Sequence, residues 1–277
     1  TSVSPDSRIV EFTIDKGYPD LTGPYAVGRM HLFTADGKEW KRDAADLYGR
    51  TEIIDARHGR FRASKPEPAF AAGDRVALNQ RKNGAFYLTG CGPVRFENIT
   101  IHTCPSLGFC NRFSEGGDEL INVKLARGPR PAEADAGRQL STCADGLNYA
   151  YIRRGPKLVN CDFSFIGDDS VNLHSVALPV VQLLDSNTFD TLRPYKHEEF
   201  AKVVRPGDRL RLLDPSDYSV VGEAVIRSFR PSPRKYDRET LKKFYFNRGD
   251  GLKDWTAYEI TLEPGGAPVK AGLFFDI

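Results

Sequence analysis

The chain has 277 residues, 40% of them hydrophobic and 27% charged, enough to bury a sizeable core in one large or two modest domains. Its 39 basic and 37 acidic residues leave a net charge of +2 and are scattered without blocks, a pattern that favours neither nucleic acid nor a membrane surface as a partner. No apolar run approaches the roughly 18 residues that a bilayer span needs, so no membrane insertion is expected.

Residues 1 to 25 carry neither the basic start nor the apolar centre of a signal peptide. The chain begins at Thr1 and its only methionine is Met30, which reads as a processed, trimmed or excised product of a longer protein. Five cysteines, Cys91, Cys104, Cys110, Cys143 and Cys161, form no CxxC pair, so a zinc site is not expected and buried thiols are the simpler reading. No metal or other cofactor is expected, and the oligomeric state is not legible.

In chain order, Arg8–Ile14, Gly28–Phe33, Arg75–Leu78 and Gly84–Thr89 alternate or cluster β-branched and aromatic residues between Gly, Pro and Asp punctuation, which predicts strands. The middle of the chain repeats itself. Glu97-Asn-Ile-Thr-Ile101, Leu120-Ile-Asn-Val-Lys-Leu125 and Leu158-Val-Asn-Cys-Asp-Phe163 align on Asn98, Asn122 and Asn160, spaced by 24 and then by 38 residues. The excess of 14 is matched by the Gly- and Pro-rich stretch from Ala126 to Gln139, which reads as an inserted loop. A coil of about 24 residues fits a right-handed parallel β-helix, in which like residues stack about 4.8 Å apart and the asparagines form an inward-pointing ladder. Asn98-Ile-Thr100 also spells a glycosylation sequon, which an inward amide would hide.

Toward the C-terminus, helices are predicted near Tyr195 to Val203 and Arg238 to Phe246, and Gly73-Asp-Arg75 and Gly207-Asp-Arg209 look like matching entries to small antiparallel barrels or sandwiches. The predicted fold is therefore all-β: a right-handed parallel β-helix with inserted or flanking antiparallel β-barrel-like modules. Residues 1–92 form a β-rich, barrel-like module leading into the first coil. Residues 93–178 carry the coils and the acidic site, and residues 179–277 form a second barrel-like module with a short helix. Ala271 to Ile277 reads as a strand with no cap after it, so further coils are expected in the parent protein.

Within residues 141–175, Asp145-Gly-Leu-Asn148 is echoed by Asp169-Ser-Val-Asn172 after 24 positions. If one coil separates them, their carboxylates lie roughly 5 Å apart with Asp168 beside them. Carboxylates so close share protons as a group, which supplies the acid and the base that glycoside hydrolysis needs. Asp145 and Asp169 are too close to hold a water between opposite faces of a sugar, so Asp168 is the expected acid of an inverting reaction and the other two activate water. Gly167 is expected to bend the strand so that both Asp168 and Asp169 face the cleft, before Val171 and Leu173 turn to the core and Ser170, Asn172 and His174 turn outward. His174, Asn148, Asn172 and Arg153 are the candidate substrate-binding residues, with a solvated turn as the plainer role for Arg153. Tyr149 and Tyr151 are expected to pack.

At these residues the sequence resembles the pectin-lyase-like β-helix enzymes, and in particular the α-galactosidases of glycoside hydrolase family 110. Phe96-Glu-Asn-Ile-Thr-Ile-His102, Pro105-Ser-Leu-Gly-Phe109, Ala144-Asp-Gly146 and Gly167-Asp-Asp-Ser-Val-Asn-Leu-His174 carry the resemblance in order, over roughly residues 70 to 180. It implies metal-free, inverting removal of terminal α-1,3-linked galactose, a carbohydrate partner, catalysis by Asp145, Asp168 and Asp169, and a secreted or periplasmic location in a bacterium. The family pattern has glycine after the histidine, where this chain has Ser175. Polygalacturonases share an Asp-Gly followed by a Gly-Asp-Asp but usually add Gly-His-Gly and Arg-x-Lys, neither of which occurs here. A polygalacturonase-like hydrolase and a non-catalytic β-helix that binds glycans or serves as a structural element remain as alternative readings.

Overall fold

The computed structural model describes residues 1–21, 28–41, 44, 47–79, 83–194, 200–245 and 254–277. It divides into two compact units, one of residues 1–112, 116–149 and 154–173, the other of residues 113–115, 150–153 and 174–277. Strands dominate both, and no helix among the described residues is long and apolar enough to cross a membrane.

In the first unit, β1 (Ser2–Val3), β2 (Ile9–Thr13), β3 (Arg29–Phe33), β4 (Leu47–Ile53), β5 (His58–Ala63) and β6 (Arg75–Asn79) form one antiparallel sheet in the order β1-β2-β5-β4-β3-β6. Alternation builds it: Val10 and Phe12 are buried while Glu11 and Thr13 face solvent, and Met30, Leu32, Leu47 and Phe61 complete the core beneath. The charged side chains of Arg50, Glu52 and Arg62 interrupt the apolar signal of β4 and β5, which sequence analysis does not register as strands. The Gly-Asp-Arg motif before β6 is a turn with Gly73 at φ +89°, and the Asp74 carboxylate accepts the Ala71 amide at 2.8 Å.

The coiled region follows. Its strands are β7 (Phe86–Thr89), β8 (Arg95–Glu97), β9 (Thr100–Ile101), β10 (Phe109–Arg112), β11 (Glu119–Ile121), β12 (Lys124–Leu125), β13 (Leu147–Ala150), β14 (Lys157–Val159), β15 (Asp162–Phe163) and β16 (Val171–His174). They make three parallel sheets, β16-β13-β10-β7, β14-β11-β8 and β15-β12-β9, which the chain visits in turn. Leu120 pairs with Phe96 on one side and Leu158 on the other, and Leu125 pairs with Ile101 and Phe163, so the alternating 24- and 38-residue register holds. Residues 126–139 add no strand or helix. Inside the coils, Phe86 stacks on its register partner Phe109 at 5.1 Å and 11°, and Phe96 meets the Phe109 ring edge-on at 5.0 Å.

Asn98, Asn122 and Asn160 occupy the bends with φ of +56°, +53° and +51°, a region asparagine tolerates better than other side chains. Asn160 donates to Asn122 at 2.7 Å and Asn122 to Asn98 at 3.0 Å. The ladder is therefore present, but it runs along the exposed outside of the bends rather than pointing inward. A left-handed corner turns its side chain away from the coil interior, and the amides satisfy one another sideways. A second correction concerns β16: Val171 and Leu173 are 45% and 53% exposed. β16 is the edge strand of its sheet, so nothing among the described residues packs beyond it to make a core.

In the second unit, β17 (Leu178–Leu183), β18 (Thr188–Pro194), β19 (Arg209–Leu213), β20 (Val220–Pro231), β21 (Trp255–Leu262) and β22 (Phe274–Asp276) close into an antiparallel barrel in the order β17-β18-β21-β20-β19-β22. Val180, Phe189, Leu210, Ile226, Ile260 and Phe275 fill it. The second Gly-Asp-Arg motif makes the same turn as the first, with Gly207 at φ +91° and the Asp208 carboxylate accepting the Arg205 amide at 2.7 Å. Of the two expected helices, the first survives as α1 (Phe200–Val203), residues 195–199 lying outside the described ones. The second is α2 (Arg238–Phe244), capped by Asp237, whose carboxylate accepts the Thr240 amide; Phe246 lies outside the described residues.

Candidate active site

Register places the acidic residues. Gly146 N donates to Asp169 O at 2.9 Å, and Gly108 N donates to Asp145 O at 2.9 Å, so Leu107, Asp145 and Asp169 occupy equivalent positions in three successive coils. The two Asp residues are neighbours because the coil repeats, and the glycine after Asp145 is needed there. A Cβ on Gly146 would lie 2.8 Å from the Ser170 carbonyl oxygen of the next coil.

One amide joins the pair. Asn172 Nδ2 donates to Asp145 Oδ2 at 3.1 Å and to Asp169 Oδ2 at 2.9 Å, so both carboxylates converge on a single nitrogen. Asn148 Nδ2 donates to the same oxygen of Asp145. The orientation of the Asn148 amide is fixed from behind: Arg112 donates to its side-chain oxygen, and also to the Asn148 and Asn111 carbonyls at 2.7 and 2.9 Å. Asp145 is 6% exposed whereas Asp169 faces solvent, so the water-accessible end of the pair is Asp169.

Asp168 is held from the six-stranded sheet. Arg29 of β3, with a side chain only 5% exposed, pairs with Asp168 Oδ2 at 2.7 Å. Two residues along β3, His31 lies 2.7 Å from the Gly167 carbonyl through Nε2 and 3.0 Å from Asn79 Oδ1 through Nδ1. Asn79 of β6 in turn donates to the Cys143 carbonyl at 3.1 Å. Each ring nitrogen of His31 thus has an oxygen within hydrogen-bond distance, which ties β3 to β6 and to the Gly167 turn. The chain bends at Gly167 and Asp168 as expected, but by close approach rather than a left-handed backbone, since a Cβ on Gly167 would stand 2.7 Å from Thr142 O.

The expected site residues thus separate into groups. Asp145, Asp169, Asn148 and Asn172 share one hydrogen-bonded set, and Asp168 adjoins it in the chain with Arg29 as its partner. Arg153 is occupied elsewhere: both Nη atoms pair with Asp208 at 2.8 Å and Nη1 also reaches the Val203 carbonyl at 2.6 Å, within the second unit. That bond raises the Arg153 pKa and lowers that of Asp208. His174 ends β16 and is exposed. Tyr149 and Tyr151 pack as expected, Tyr149 buried in the coils and Tyr151 stacked on Phe113 at 5.4 Å. Sequence reasoning missed Arg29, His31, Asn79 and Arg112. Three of them lie far away in the chain with no motif of their own; Arg112 closes the strand that follows Pro105-Ser-Leu-Gly108, one coil before Asn148, and that placement is the signal that could have found it.

Chemically the cluster offers one carboxylate beside a guanidinium and two carboxylates that share neutral amide donors. Carboxylates and asparagine oxygens are also what a hard cation takes, but Arg112 holds the Asn148 oxygen and Arg29 holds Asp168, which puts positive charge where such an ion would lie.

No family model matches the chain. Among curated proteins, it is 20% identical over 247 residues to alpha-1,3-galactosidase B of Akkermansia muciniphila, covering 82% of this chain and 30% of that protein. It is 24% identical over 173 residues to alpha-1,3-galactosidase A of Shewanella woodyi, covering 62% and 27%. It is 22% identical over 150 residues to alpha-1,3-galactosidase A of Bacteroides fragilis, covering 54% and 24%. The chain spans less than a third of the length of each. These similarities support a relationship to glycoside hydrolases.

Proposed function

We propose that the chain carries the acidic centre of an inverting glycoside hydrolase that removes terminal α-1,3-linked galactose, built on a right-handed parallel β-helix. The observation that carries this reading is the shared Asn172 amide: it sets Asp145 and Asp169 side by side on adjacent coils, next in the chain to Asp168. In this scheme Asp168 protonates the glycosidic oxygen as the anomeric C–O bond breaks. Asp145 and Asp169 take the proton of the water that attacks the opposite face of the sugar, giving free galactose of inverted anomeric configuration and an aglycone hydroxyl. Asn148 and Arg112 keep Asp145 oriented, and Arg29, His31 and Asn79 keep the Asp168 loop in place.

One observation favours a second reading. Arg29 holds an Asp168 oxygen at 2.7 Å, and a carboxylate already engaged in an ion pair suits a non-catalytic glycan-binding protein on the same scaffold. Release of sugar from α- and β-linked galactosides and from oligogalacturonate, compared between the native chain and Asp168→Asn, separates the readings. Hydrolysis of the α-galactoside, lost in the variant, supports the hydrolase. Binding without hydrolysis supports the second reading, and cleavage of oligogalacturonate alone points to polygalacturonase chemistry.

A further inference from the structure

The six-stranded sheet brings an aromatic ring to the acidic centre. Tyr48 of β4 is the register partner of Arg29 in the β3–β4 pair, and the Arg29 guanidinium lies over the Tyr48 ring, 5.7 Å from its centre. The same guanidinium holds Asp168 Oδ2 at 2.7 Å, so a single side chain separates the ring from the expected acid. Arg29 is buried, whereas Tyr48 is 50% exposed, and among the described residues no other ring stacks on it.

A ring so placed suits a sugar. The aromatic face carries partial negative charge and attracts the slightly positive C–H groups on the apolar face of a pyranose, and both surfaces leave water on contact. Which sugar it meets follows from where the acid stands. In an inverting reaction the acid protonates the leaving oxygen, while the base works on water at the opposite face of the galactose. The sugar that departs with that oxygen therefore lies on the Asp168 side, which is the side of Arg29 and Tyr48.

We propose that Tyr48 is the stacking platform of a leaving-group subsite, binding the sugar to which the terminal galactose is joined. For its ligand this rests on the hydrolase reading above. It makes Tyr48 a determinant of which glycans are accepted, because a ring-shaped leaving group gains the contact and a small alcohol does not. A ring that only shielded Arg29 from water would give no such preference.

The test is an amide-shift titration of the full chain with two ligands. One is α-1,3-galactobiose with sulfur in place of the glycosidic oxygen, which resists hydrolysis; the other is methyl α-galactoside, which lacks the second sugar. The native chain is expected to bind the disaccharide about tenfold more tightly than the monosaccharide, Tyr48→Ala to lose that difference and Tyr48→Phe to keep it. Tyr48 is not part of the core beneath the sheet, so these replacements leave the fold in place. Absence of binding, equal native affinity for the two ligands, or a preference that survives in Tyr48→Ala would each overturn the proposal. So would equal weakening of both ligands in Tyr48→Ala, or loss of the preference in Tyr48→Phe. Binding is read without turnover: a chain with the expected preference that releases no galactose from the oxygen-linked disaccharide loses the hydrolase reading and keeps the subsite.

Discussion

Arg29 and Asp168 stand 139 residues apart in the chain and 2.7 Å apart in the structure. The six-stranded sheet therefore contributes directly to the acidic centre of the coils, and β3 is aimed at it twice, through Arg29 and through His31 on the Gly167 carbonyl.

Arg29 is a positioning residue for Asp168. Arg29→Met removes the ion pair and is expected to lower kcat about tenfold with KM changed far less. Steady-state kinetics of the native and variant chains check this; an unchanged kcat removes Arg29 from that role.

Asn172 is a positioning residue for the pair of carboxylates. Asn172→Leu keeps its size and deletes both bonds, and is expected to lower kcat about 100-fold with KM changed far less. Steady-state kinetics distinguish this from a substrate-binding role, which would raise KM instead.

The exposed asparagine ladder is a stability device. Asn122 donates to Asn98, accepts from Asn160 and sits at φ +53°. Asn122→Ala loses both bonds and places alanine in a left-handed corner, for an expected cost of about 1–2 kcal/mol in urea denaturation. Asn122→Gly, which removes the bonds but not the backbone's ease, is expected to cost less.

In the barrel, buried Asp190 accepts from Arg234 at 2.9 Å, Tyr236 at 2.6 Å and Ser232 at 3.1 Å, and Arg234 also binds Glu259. Burial pushes the Asp190 carboxyl up, but Arg234, Tyr236 and Ser232 outweigh it and hold the pKa below the ordinary value. A depressed folded-state pKa means stabilisation that is complete above the unfolded value of about 3.9 and lost as pH falls through the folded one. Barrel unfolding followed by Trp255 fluorescence is expected to ease steadily below about pH 4. Asp190→Asn is expected to flatten that dependence and to cost about 3 kcal/mol at neutral pH.

The repeat was the legible part of this molecule. Asn98, Asn122 and Asn160 gave the coil length, and the coil length brought Asp145 beside Asp169, because a periodic fold converts sequence intervals into distances. Burial was read less well where the period ends: Val171 and Leu173 have the alternation of core residues, but β16 is an edge strand and local pattern does not encode what covers an edge. The ladder was found with its direction inverted, since spacing fixes stacking and not the side of the bend. Arg29, His31 and Asn79 were invisible because their partners lie in another part of the chain, and the Arg153 partner Asp208, 55 residues away, is hidden from local pattern for the same reason.

The most direct test of the central claim is the anomeric configuration of galactose at the moment of release from a terminal α-1,3-galactoside, followed by proton NMR with the full chain and with Asp168→Asn. β-Galactose appearing first, and no release by the variant, is the predicted result. α-Galactose appearing first, or turnover by Asp168→Asn equal to that of the native chain, would contradict it.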